Sequence, residues 1–110
     1  MIKLPIKALS INKAFQGRRF MTPEYKQFCL AMAYLLLPYK HLKYTGEIVI
    51  HYRFYMSNYK MSDADNCIKT TQDCLVKSGI IPDDRFIVKY IIEKFPSETD
   101  SIEIDIRGVL

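Results

Sequence analysis

The chain has 110 residues, 49% of them hydrophobic, and a net charge of +4, enough for one domain (1–110) with its own core and too little for two ordinary ones. Its longest apolar run, Phe28 to Leu37, falls short of the roughly 18–20 residues that cross a bilayer, and Met1 to Leu9 is broken by Lys3, Pro5 and Lys7. Neither a membrane span nor a secretory signal is expected, and a cytoplasmic location is. Cys29, Cys67 and Cys74 are odd in number and form no Cys-x-x-Cys, which argues against a disulfide framework or a zinc ribbon; with His41 and His51 they are read as structural.

The charge is unevenly spread. Residues 1–60 hold ten Lys/Arg against Glu24 and Glu47 alone, whereas 61–110 hold six against ten Asp/Glu. The first half suits a polyanion, although a solvated basic face is the plainer reading of most of these lysines.

Ile2 to Leu9 alternates like a strand weakened by Pro5, which fits a sheet edge where one missing N–H is tolerated. Ser10 to Met21 has no periodicity and reads as a basic loop carrying Lys13, Arg18 and Arg19. Thr22-Pro23-Glu24 then supplies an N-cap, a first-position proline and an acidic first turn. Phe28, Ala31, Met32 and Leu35 form the inward stripe of that helix until Pro38 ends it. From Gly46 the period changes to two: Ile48, Ile50, Tyr52, Phe54 and Met56 predict a long strand with one buried face.

Ala64, Cys67, Ile68, Thr71 and Leu75 trace the inner face of a second helix, which Gly79 stops. Phe86, Val88, Tyr90 and Ile92 predict another strand, and Ile102, Ile104 and Ile106 a last one after the polar turn Pro96 to Asp100. These two pair most simply as an antiparallel hairpin. The expected architecture is α/β (α+β): a single compact domain, a mixed sheet of about four strands and two helices.

The chemistry concentrates at the second helix. Asp63 and Asp65 open it, and Asp83-Asp84 follow its end. If the chain folds back so that Asp84 meets Asp63 and Asp65, each carboxylate pair about 4 Å apart repels by roughly 4 kcal/mol at an effective dielectric of 20. A helix N-terminus offsets only about 0.3–1 kcal/mol. A raised carboxylate pKa or a bound hard cation relieves the rest, and Mg²⁺ favours such oxygen ligands. Each acid also has an ordinary explanation: Asp63 as a cap, Asp65–Lys69 and Lys69–Asp73 as i,i+4 pairs, Pro82-Asp83-Asp84 as a solvent turn. An EF-hand is excluded, because counting from Asp63 the required glycine is Ile68 and the final glutamate is Cys74.

The combination Asp63-x-Asp65-Asn66-x-x-Lys69-x-x-x-Asp73-x-Leu75, then Gly79-Ile80-Ile81 and Asp83-Asp84, resembles the RusA-type Holliday junction resolvases. Weaker similarity extends from Asn12, Arg18-Arg19-Phe20 and Thr22 to the closing strands. The resemblance implies a homodimeric, Mg²⁺-dependent endodeoxyribonuclease, with Mn²⁺ as a substitute ion, of phage or prophage type. It would cut opposed strands of four-way junctions in recombination and repair. It also implies that Asp63, Asp65 and Asp84 are catalytic metal ligands, that Asp83 is a further ligand and that Lys69 assists.

Lys13, Arg18 and Arg19 are the expected grips on DNA phosphates, with a solvated loop as the alternative. Tyr59-Lys60 could stack on a base or wedge a junction, although an aromatic leaving a strand is more often core. Two rival functions stand beside the nuclease. One is a non-catalytic basic DNA-binding module; the other is a protein-interaction domain.

Overall fold

The computed structural model describes residues 1–17 and 20–109. Its centre is β4 (Ile48–Met56), whose strict alternation buries Ile48, Ile50, Tyr52, Phe54 and Met56 on one face. Side chains of a strand point to opposite faces in turn, so this single segment lays down an unbroken row of five core residues. β5 (Ile87–Pro96) pairs with it in parallel on one side. On the other side β6 (Ser101–Gly108) pairs antiparallel, and β1 (Ile2–Leu4) pairs antiparallel with β6 at the edge. The order is therefore β1-β6-β4-β5.

This order corrects the expected hairpin. The turn from β5 to β6 steps across the end of β4, where Ser97 N donates to Met56 O at 3.1 Å. Ser57 donates to Asp100 Oδ1 through both its backbone N, at 3.3 Å, and its hydroxyl, at 2.6 Å. The step spans two strand spacings, about 10 Å, which a turn of this length can reach. It gives the most apolar strand a hydrogen-bonded neighbour on each side. A β5–β6 hairpin would have pushed β4 towards an edge.

The edge position of β1 is as expected, but the strand stops at Leu4 because Pro5 cannot donate to the ladder. The described residues of the basic loop contain a 3₁₀ turn at Ile11–Lys13 and a two-stranded ribbon, β2 (Phe15–Gln16) with β3 (Phe20–Met21).

α1 (Pro23–Leu35) starts as its sequence dictates: Thr22 Oγ1 accepts from Tyr25 N at 3.2 Å and Pro23 opens the first turn. Its buried stripe is Tyr25, Phe28, Met32 and the following Leu36, with Leu35 half-buried and Ala31 exposed. The stripe is thus rotated from the one expected, because the larger Tyr25 and Leu36 claim the interior.

α2 (Ile68–Lys77) is preceded by a 3₁₀ turn at Ala64–Cys67. It buries Thr70, Thr71 and Gln72 as well as Cys74 and Leu75. The threonines are tolerated there because their hydroxyls donate to Cys67 O, and Thr70 also donates to Leu9 O at 2.7 Å. Gly79, at φ +81°, turns the chain so that fully buried Ile80 and Ile81 pin its return. Cys29, Cys67 and Cys74 are free thiols, and among the described residues no helix is long and apolar enough to cross a membrane.

Candidate active site

The return after α2 brings Asp84 onto the helix. Lys69 Nζ, on the first turn of α2, lies 3.1 Å from Asp73 Oδ1 and 3.4 Å from Asp84 Oδ2. These neighbours raise the Lys69 pKa, the Asp73 hydrogen bond contributing most. Asp73 also accepts from Tyr25 Oη at 3.5 Å, linking α1 to the same group. Burial first, and Asp73 second, push the Tyr25 hydroxyl far up.

Asp63 and Asp65 stand just before this group. Asp63 has extended backbone (φ −99°, ψ 112°) and its side chain makes no capping bond to the 3₁₀ turn it precedes, so the cap reading of this residue does not hold. Asn66 Nδ2 donates to its Oδ2 at 3.5 Å. Asp65 is exposed in the first turn, one helical turn before Lys69. Both acids are felt by Cys67, whose thiol is pushed up to about 11 by burial, then by Asp65 and Asp63.

Asp83 has a structural task. Its Oδ1 accepts from Arg85 N at 3.0 Å and caps the 3₁₀ turn Asp84–Phe86. That bond, followed by a hydrogen bond with Asp84, holds its carboxyl below the ordinary range.

Among the described residues, no three His, Cys, Asp or Glu side chains come together closely enough to hold a metal ion by themselves. Asp63, Asp65 and Asp84 therefore do not meet in the one small space expected of them. The ammonium of Lys69 relieves the charge at Asp84, where like-charge repulsion would otherwise keep the turn away. In donor chemistry the expected residues suit Mg²⁺, since all of them offer carboxylate oxygens. This ion is commonly held by one or two carboxylates, with water and substrate phosphate completing the shell.

A groove of about 610 Å³ runs beside Asp63, lined among others by Lys7, Asn12, Lys13, Asn58 and Asn66. It brings Lys13, an expected phosphate contact, to the same cleft as the first acid. Arg18 and Arg19 lie outside the described residues. Lys60 is exposed, whereas Tyr59 is half-buried with the Lys94 ammonium 4.5 Å from its ring centre, so its packing reading holds.

Lys94 is the residue that sequence reasoning missed. Its Nζ donates to Tyr59 O and to Ser62 O, each at 2.8 Å, and so anchors the segment that delivers Asp63. The signal lay in the β5 alternation: Tyr90, Ile92 and Lys94 face the same way as Ile50, Tyr52 and Phe54, and a lysine on the inward face needs a partner. Gln72 was missed too. It accepts from Tyr52 Oη at 3.0 Å and donates to Tyr90 Oη at 3.1 Å, tying α2 to β4 and β5.

A search of curated proteins returns no match. The family model described as Endodeoxyribonuclease RusA matches residues 7–107, a span that takes in the acids, Lys69, Lys94 and the basic loop. The chain belongs to the RusA family of endodeoxyribonucleases, the Holliday junction resolvases that act on branched DNA.

Proposed function

We propose that this chain is a Mg²⁺-dependent junction endonuclease in which Asp63, Asp65 and Asp84, apart in the free protein, close on the ion when DNA brings phosphate oxygens to complete its shell, with Asp83 bracing Asp84 and available as a further ligand. The observation that carries this reading is the Lys69–Asp84 contact, which ties the turn after α2 to the helix that the other two acids open. Mg²⁺, or Mn²⁺ in its place, would supply Lewis-acid polarisation of the phosphoryl oxygens when bound. The chain's own residues do the rest. Lys69 balances Asp73 and Asp84 in the free protein and, 56% exposed, is free to turn towards the scissile phosphate when DNA binds. Lys94 fixes the approach to Asp63. Lys13, Arg18, Arg19 and Lys60 grip the backbone without reading sequence.

Paired cuts in opposed strands call for two such sites, hence a homodimer. The setting is cytoplasmic recombination and repair, of phage or prophage type. The test is a labelled four-way junction, with fork and duplex controls, with and without Mg²⁺. Metal-dependent cutting of the junction supports the reading. Salt-sensitive binding with no cleavage at any metal concentration would instead favour a non-catalytic DNA-binding module.

A further inference from the structure

Among the described residues β5 is the outer strand of its side of the sheet, bonded to β4 along one edge only. It is ten residues long, against three for the opposite edge strand β1. Long edges are usually protected by proline, by inward charge or by a covering loop. In β5 the proline stands at the very end, the inward charge, Lys94, lies near that same end and is spent on the carbonyls of Tyr59 and Ser62, and Val88, Tyr90 and Ile92 remain 51, 42 and 37% exposed.

We propose that β5 pairs antiparallel with β5 of a second copy of this chain, about a two-fold axis at Ile91, so that the two sheets become continuous. The proposal assigns a surface and a register to the homodimer proposed above and rests on that reading. A two-fold that joins identical edges antiparallel stands perpendicular to the sheet and keeps each face on its own side. Facing residues must then come from the same side of the pleat, so the register is centred on a residue.

Charge selects which residue. Centred on Ile91, Lys89 faces Glu93 of the second copy and Glu93 faces its Lys89, while Tyr90 and Ile92 face each other across the other side of the pleat. Centred on Glu93, two glutamates oppose. Centred on Tyr90 or Ile92, Glu93 faces an isoleucine and Lys89 finds no acid. The groups are available: Glu93 uses Oε1 for His51 Nε2, at 2.5 Å, and Oε2 has no partner among the described residues. Lys89 is exposed.

The interface is continuous with the candidate site, because Tyr90 is hydrogen-bonded to Gln72 of α2. It also places both copies of α2 on one face of the joined sheet, which suits a two-fold symmetric four-armed substrate.

The experiment is sedimentation at micromolar concentration without DNA or metal, with circular dichroism as the folding control. The wild type should be dimeric, and K89E and E93K should each weaken association about tenfold. The K89E/E93K double variant should return to wild-type association, since the pairs are rebuilt with signs exchanged. In a Cys29→Ser background, Ile91→Cys should form an intermolecular disulfide on mild oxidation. A monomeric wild type, unchanged single variants or a double variant no better than the singles would overturn the interface. Because neither junction nor Mg²⁺ enters the readout, that outcome would leave the nuclease reading standing. Loss of cleavage by an intact dimer would do the reverse.

Discussion

Lys69 Nζ lies 3.4 Å from Asp84 Oδ2, joining the first turn of α2 to a turn fifteen residues later. The same ammonium holds Asp73 at 3.1 Å. One cation thus stands between carboxylates of two elements, at a side chain that is 56% exposed. Exposed pairs of this kind contribute at most about 1 kcal/mol to stability. The proposed role of Lys69 in handling charge during catalysis is therefore the one to test.

Replacing Lys69 by Met should therefore separate activity from folding. Chemical denaturation should show a loss of no more than about 1 kcal/mol. Junction cleavage under saturating Mg²⁺ should fall by about a hundredfold, the scale of losing one group that stabilises transition-state charge.

Lys94 predicts the opposite balance. Its two bonds to Tyr59 O and Ser62 O are charge-assisted and partly buried, so Lys94→Met should cost about 2–3 kcal/mol in urea unfolding. Cleavage should fall as well, because the segment leading to Asp63 loses its anchor. Lys94→Arg should recover part of both.

The hydrogen-bonded chain Tyr52–Gln72–Tyr90 is open to a double-mutant cycle. Gln72→Leu leaves the Tyr52 hydroxyl without a partner in a fully buried position and should destabilise by about 1–3 kcal/mol. Adding Tyr52→Phe removes the stranded group, and the pair together should be less damaging than the two single costs added.

Asp83 sets an acid limit. Its pKa is lowered in the folded protein, so its charged form stabilises the fold above the unfolded-state pKa of about 3.9, and this contribution is lost as pH falls through the folded value. The difference in urea midpoint between wild type and Asp83→Asn should be constant from pH 6 to 8 and shrink towards pH 3. A difference that grew on acidification would contradict the cap.

Much of this fold is legible because local signals and the buried pattern agree. Thr22-Pro23 starts α1, β4 alternates without interruption, and Gly79 ends α2. The strand order is not legible. A four-residue polar segment serves a hairpin or a step over a neighbouring strand equally well, and only competition for the centre of the sheet decides. The rotated stripe of α1 has a similar cause, since Ala31 counts as apolar in a periodicity but gains little by burial beside Tyr25 and Leu36.

At the site, the spacing picks out the acids and Lys69 but not their pairing. Lys69 satisfies Asp73 by helical spacing and Asp84 by tertiary contact, and the second cannot be seen along the chain. Lys94 hides in a strand whose other inward residues are apolar. Its partners are backbone carbonyls, which leave no mark in the sequence.

The most direct measurement is cleavage of a labelled four-way junction by wild type, Asp65→Asn and Asp84→Asn across a Mg²⁺ titration, with junction affinity measured alongside. The account predicts Mg²⁺-dependent cutting by wild type, at least a hundredfold less by either variant, and affinity within a few-fold for all three, because basic residues supply the binding. Equal cutting by wild type and both variants, or none by a folded wild type that binds the junction, would contradict it.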